Sequence, residues 1–195
     1  MTDEYLTISN QIGEGFYSDH RSKFLAFAHH VTTEAEIKEI LQNYKKKYYD
    51  ARHCCYAYVL GVNSDVFRAN DDGEPDGTAG RPILGQINSK QLTDILIVVI
   101  RYFGGIKLGT SGLLIAYRTA AAYALDSAII ERKFIEEEIT YNFAYPLMNG
   151  VMKIVKDMQP RIIDQVFDTT CSITLSIRQS EAEALRKKLK SISFA

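Results

Sequence analysis

Ile95-Leu96-Ile97-Val98-Val99-Ile100-Arg101-Tyr102-Phe103-Gly104-Gly105-Ile106-Lys107-Leu108-Gly109-Thr110-Ser111-Gly112 decides the reading of this 195-residue chain. The first six residues are apolar and mostly β-branched, the pattern of a central strand buried on both faces. The glycines that follow turn the chain, and an apolar run from Leu113 to Ile129 predicts a long helix starting near Leu113 and packed inside its domain on most of its circumference. A buried strand feeding a Gly-Thr-Ser-Gly turn at a helix start collects unpaired N–H groups, two hydroxyls and the positive end of the helix dipole. The same turn allows a purely structural reading, in which Thr110 or Ser111 is an N-cap. It is not a Walker A loop, because Lys107 precedes the Gly-Thr pair.

Working outward, alternation marks a short edge strand at Tyr5–Ile8, and Gly13-Glu14-Gly15 signals a turn. Phe24–Ala28 reads as a strand. Thr33 with Glu36 forms a capping-box signal, and Ile37, Ile40, Leu41, Tyr44 and Tyr48 recur at helical spacing, so residues 33–49 are expected to be an amphipathic helix. Lys45, Lys46 and Lys47 complement its C-terminal dipole. Ala51–Gly61 alternates, with His53, Cys55, Ala57 and Val59 on one face, and Val62–Asp65 turns it into a second strand, Val66–Ala69. Residues 70–82 are a loop carrying Asp71, Asp72, Glu74 and Asp76, followed by a short helix near Ile83.

The charge-dense stretch around Glu131–Lys133 and Glu136–Glu138 divides the chain into expected domains 1–133 and 134–195. The second domain reads as a strand (Ile139–Tyr145), a helix between Pro146 and Pro160, and two strands (Arg161–Asp168 and Cys171–Ile177) joined by a short turn. A last helix, capped by Ser180 with Glu183, runs to about Lys190. That β-α-β-β-α order is the larger part of a ferredoxin-like unit.

Composition narrows the function classes. With 23 Lys+Arg against 24 Asp+Glu, no global field draws the chain to nucleic acid or acidic membrane, so any anion site is local. Three cysteines, two of them adjacent, do not make a secreted disulfide framework. Met1–Tyr5 lacks the basic start and apolar core of a signal peptide, and no run reaches the ~20 apolar residues of a spanning helix. A cytoplasmic protein is expected, with no membrane association.

Two constellations carry the chemistry. One is the anion turn: Arg101, Gly104, Gly105, Lys107, Gly109, Thr110, Ser111 and Gly112, with Arg118 in the next turn and Tyr102 and Phe103 available to stack on a base. The other is His53 with Asp71, Asp72 and Glu74, either an acid–base set or an acidic loop pairing with Arg81, Arg101 or Arg118. The carboxylate spacing is not that of an EF-hand loop, and Cys54 and Cys55 point to opposite sheet faces and so cannot share a zinc. No metal and no cofactor are expected.

The run Asp71-Asp72-Gly73-Glu74-Pro75 with Thr78-Ala79-Gly80 and Pro82, then Arg101-Tyr102-Phe103-Gly104-Gly105, Lys107-Leu108-Gly109 and Gly112-Leu113, with Tyr117 beyond, closely resembles the signature of the YigZ/IMPACT family. Arg21-Ser22-Lys23-Phe24 and Ala51-Arg52-His53 are similar to its earlier markers. The resemblance implies an α+β protein, with a β-α-β first domain like the fourth domain of elongation factor G (ribosomal-protein-like). The second domain would be ferredoxin-like, similar to that factor's fifth. It also implies a link to translation, with RNA, the ribosome or a translation-related protein as partner. The expected function is thus non-catalytic binding of a phosphate-bearing partner at the Gly-rich helix start. The alternative is an enzyme acting on a phosphorylated small molecule with His53 and the acidic loop.

Overall fold

The computed structural model describes residues 3–168 and 170–192. The chain forms two compact units, Tyr5–Lys133 and the segment from Phe134 onward, which Asp3 and Glu4 join. In the first unit the elements follow as β1 (Glu4–Ile8), β2 (Gly13–Asp19), β3 (Ser22–His30), α1 (Glu34–Lys47), β4 (His53–Leu60), β5 (Val66–Asn70), α2 (Gly80–Ser89), β6 (Ile95–Tyr102), α3 (Gly109–Ser127) and β7 (Ile130–Phe134). Strands β2-β3-β6-β4-β5 form one antiparallel sheet, while β1 and β7 pair separately.

β6 is the central strand, and its residues Ile95–Arg101 are all buried. Period-two alternation sends Ile95, Ile97 and Val99 to the face covered by α2 and α3, and Leu96, Val98 and Ile100 to the face covered by α1. Each fully buried side chain contributes about 1.5–3 kcal/mol. The continuous apolar run of β6 is therefore the signature of a sheet sandwiched between helices. β4 behaves the same way, with Cys55, Ala57 and Val59 in one core and Cys54, Tyr58 and Leu60 in the other. Helix α1 starts at the capping box: Glu36 N donates to Thr33 Oγ1 and the Glu36 carboxylate accepts from Thr33 N.

Three features of the first unit differ from the sequence-based expectations. Gly13 and Gly15 do not turn the chain; they lie in β2, where a Cβ on Gly15 would sit 2.5 Å from Ala124 N and 2.6 Å from Ala120 O of α3. These glycines let a helix rest directly on a strand backbone. Helix α3 begins at Gly109 rather than Leu113, and Leu108, not Thr110 or Ser111, occupies its N-cap. It buries one stripe (Leu113, Ala116, Tyr117, Ala120, Ala121, Ala124 and Leu125) and leaves Ile115 and Tyr123 exposed. Its many alanines serve close approach on that one stripe rather than burial all round.

The second unit contains β8 (Glu136–Phe143), a 3-10 turn (Tyr145–Leu147), α4 (Met148–Met158), β9 (Arg161–Val166), β10 (Cys171–Arg178) and α5 (Gln179–Ile192). Its antiparallel sheet has the order β8-β10-β9. Val151 and Val155 of α4 and Ala182, Leu185 and Leu189 of α5 pack on Ile139, Phe143, Ile173, Leu175 and Ile177. The turn between β9 and β10 includes Thr169, which lies outside the described residues. Ser180 is not the cap of the last helix. It lies inside α5, and its N–H donates to the Asp3 carboxylate, which also receives Arg178 Nε and Nη2 at 2.6 and 2.7 Å. The hydrogen bonds from Arg178 and Ser180 hold the Asp3 carboxyl well below the usual carboxylate range.

Gly15→Ala is expected to lower stability by about 1–3 kcal/mol in urea denaturation, since the added methyl meets backbone that has to move. Gly85→Ala in α2, where nothing lies within 4 Å of the new Cβ, is expected to be neutral or to stabilise by up to about 1 kcal/mol.

Candidate functional site

Arg101 lies one residue from the end of β6, paired with Phe24 of β3 on one side and His53 of β4 on the other. Continuing the alternation from Val99 places its side chain on the α3 face, below the start of that helix. The guanidinium is 95% buried there, an expensive position for a charge without partners. Arg101 Nη1 donates to Glu74 Oε1 at 2.5 Å, and Nη2 lies 3.5 Å from Ser22 Oγ. The rings of Phe24 and Phe103 flank the guanidinium at 5.5 and 5.6 Å. Arg101 Nε is the one buried side-chain nitrogen or oxygen among the described residues without a hydrogen-bond partner.

The loop after β5 is built to deliver Glu74. Asp71 accepts N–H groups from Gly77, Ala79 and Gly80 at 2.8–3.0 Å, capping α2 from outside the helix. The Asp72 carboxylate accepts Cys54 N at 2.7 Å and lies 3.4 Å from Lys45 Nζ. With those two carboxylates committed to backbone, only Glu74 turns inward; it also accepts Tyr117 Oη at 2.7 Å. Cys55 Sγ lies 3.0 Å from the Asp71 carbonyl and 3.3 Å from Tyr117 Oη. Burial pushes both the Tyr117 phenol and the Cys55 thiol up, so each stays protonated as a hydrogen-bond donor. Burial likewise pushes the Cys54 thiol up to about 11, which leaves no reactive thiolate near neutral pH.

His53 Nδ1 lies 2.8 Å from the Asp72 carbonyl oxygen. A carbonyl only accepts, so the Nδ1 position carries a proton and Nε2 is the atom left for chemistry. That Nε2 stands 3.8 Å from Glu74 Oε1.

Above these groups opens a cavity of about 640 Å³. Arg52, His53, Arg101 and Lys107 supply its basic groups and Glu74 its carboxylate. Phe103, Pro75, Leu108 and Leu113 supply apolar wall, and Gly109 and Thr110 bring in the first turn of α3, where no side chain caps the helix. The bend into this turn depends on Gly104, whose Cβ would sit 2.1 Å from the Arg21 carbonyl carbon, and on Gly109 at φ +71°. Gly104 N also donates to Ser22 Oγ.

The cavity brings together Arg101, Lys107, Gly109 and Thr110 of the anion turn with His53 and Glu74 of the second constellation. The remaining residues lie apart from it. Gly104 and Gly105 shape the approach, and Ser111 and Gly112 continue the helix outside the lining. Arg118 faces a different groove of about 460 Å³ with Arg81 and Gln86. Asp71 and Asp72 are structural, and Tyr102 packs on the α1 side of the sheet with its hydroxyl donating to Asp50, away from the cavity. Arg52 joins the cavity as a binding residue that the sequence marks only through the Ala51-Arg52-His53 stretch at the start of β4.

The fold and site define an α+β protein with a basic, partly apolar cavity at the capless start of a helix. Residues 20–125 match the family model of the Impact N-terminal domain, and the chain belongs to the IMPACT family. It is 42% identical to IMPACT family member YvyE of Bacillus subtilis over 136 residues, 69% of this chain and 62% of that protein. With IMPACT family member YigZ of Escherichia coli it shares 30% identity over 175 residues, 89% and 86% of the two chains. The crystal structure of a hypothetical protein superimposes with a TM-score of 0.74 at 28% identity, covering 99% of this chain and 94% of that one.

Glu74→Ala leaves a buried guanidinium without its counter-charge and is expected to cost about 3–5 kcal/mol in urea denaturation. Glu74→Leu combined with Arg101→Met, which removes both charges, is expected to recover most of that loss; a double variant as unstable as the single one contradicts the assignment.

Proposed function

We propose that this is a cytoplasmic, non-catalytic protein linked to translation, which binds RNA, the ribosome or another phosphate-bearing partner at the cavity beside the start of α3. The translational side of the reading comes from the family resemblance. The binding side rests on one observation: a buried arginine, two exposed cations and the first turn of an uncapped helix line the same space. An anion there meets N–H donors, the positive helix end and guanidinium at once. In the same reading the domain of residues 1–133 is of the elongation factor G domain IV type. The domain of residues 134–195, whose antiparallel order β8-β10-β9 matches the first three strands of a split β-α-β unit, is ferredoxin-like.

A second reading, an enzyme acting on a phosphorylated small molecule, is favoured by one feature: His53 Nε2 and Glu74 line the same cavity as Thr110. Against it, the Glu74 carboxylate already accepts Arg101 and Tyr117, so it holds the site together rather than standing ready to take a proton. Asp71 and Asp72 lie outside the lining altogether.

Binding of single-stranded RNA followed by fluorescence anisotropy tests the first reading. Affinity is expected to fall with added salt, and Lys107→Glu is expected to weaken it at least about tenfold and to reduce the salt slope by about 1. Binding that is insensitive to salt, or unchanged by Lys107→Glu, contradicts it.

A further inference from the structure

The charge balance of the cavity says more about its ligand than that it is anionic. Arg52, Arg101 and Lys107 bring three positive charges and Glu74 one negative, and the start of α3 adds about half a positive charge. The site therefore carries a little more than two uncompensated positive charges. An internal phosphodiester of RNA has one negative charge, whereas a terminal phosphomonoester approaches two. The cavity suits the second.

The distribution of polarity adds a further constraint. Arg52, Lys107 and the first turn of α3 make up the basic part of the lining, and Phe103, Leu108, Leu113 and Pro75 the apolar part. Phe103 is half-exposed, with the Arg101 guanidinium 5.6 Å from its ring, so one ring lies over a cation while remaining open to a second planar group. A volume of about 640 Å³ is that of a small-molecule pocket, enough for one nucleotide and too small for a run of them.

Arg101 adds a second observation: its Nε–H is buried without a hydrogen-bond partner, so only part of this charge is answered from within the protein. A buried N–H that bonds to nothing carries its full desolvation cost, and such groups in native proteins are rare. Of the five N–H donors of this guanidinium, the Nη groups reach Glu74 and Ser22. The Nε–H itself is closed off from the cavity, so an anion there meets the incompletely paired guanidinium through its charge.

We propose, resting on the phosphate-binding reading above, that the cavity recognises a nucleoside monophosphate group, with the phosphomonoester on Arg52, Lys107 and the first turn of α3 beside the Arg101 guanidinium, and the base against Phe103. Two sources share that chemistry: the phosphorylated end of an RNA strand and a free mononucleotide. Phosphate and ring are held by different groups, so each part of the ligand has its own variant. Arg52 and Phe103 are both exposed at the cavity, which allows their replacement without disturbing the core.

Anisotropy with a short single-stranded RNA bearing a 5′-phosphate, a 3′-phosphate or hydroxyls at both ends tests the proposal, with AMP and inorganic phosphate as competitors. One phosphorylated RNA is expected to bind about ten- to a hundredfold more tightly than the hydroxyl-ended strand, and Arg52→Ala to abolish that preference. AMP is expected to compete, and Phe103→Ala to weaken AMP about tenfold while leaving competition by inorganic phosphate unchanged. AMP binding without RNA binding supports the free nucleotide as the source and overturns the RNA reading alone. Equal affinity for all three RNAs, still lost in Lys107→Glu, overturns the terminal-phosphate proposal and leaves the RNA reading standing. Binding of neither RNA nor AMP overturns both.

Discussion

The first unit is organised around a charge it would be cheaper not to bury. Arg101 follows six apolar residues in the central strand and continues their inward alternation, so the fold draws a guanidinium into the space between sheet and helix. Glu74 answers that charge at 2.5 Å, and to reach it the loop after β5 is tied down at Asp71 and Asp72. The same ties set the ring of His53 through the Asp72 carbonyl and the phenol of Tyr117 through Glu74. Buried ion pairs contribute little net stability against apolar replacements of similar shape. The cohesion of the unit lies in the apolar faces of β4 and β6, and the ion pair fixes where the polar groups point.

This division explains what the sequence made legible. Strand β4 follows from period two, β3 and β6 from short apolar runs, and α1 from a capping box whose two hydrogen bonds are both present, because these are local consequences of residue order. Gly13 and Gly15 mislead because a glycine that admits a neighbouring helix looks, in sequence, like one that turns the chain. The start of α3 is displaced for a related reason: Gly109 is ordinarily a helix stop, yet here it opens the helix at positive φ. Ser180 resembles an N-cap until Asp3, some 177 residues away in sequence, takes its N–H.

The candidate site was legible in its ingredients and not in its assembly. The anion turn and the acidic loop stand out as separate motifs, and the antiparallel pairing of β4 with β6 makes them one cavity by setting His53 opposite Arg101. Arg118 drops out because it lines a different groove, shared with Arg81 and Gln86, and not the cavity. Asp71 drops out because three backbone N–H groups occupy its carboxylate. Arg52 enters because its N–H donates to the Arg101 carbonyl just beyond the paired strands, a non-local fact that no spacing rule encodes.

The site turns on the buried, incompletely paired guanidinium of Arg101. The proton–nitrogen NMR signal of its Nε–H, followed while AMP is added, reads the electrostatic field at that group without relying on affinity or activity. A saturable displacement of the signal as the cavity fills is the result expected if the ligand phosphate sits beside the guanidinium. A signal that stays in place while backbone resonances of Gly109 and Thr110 shift to saturation would show that the ligand is held without Arg101, and would contradict the account.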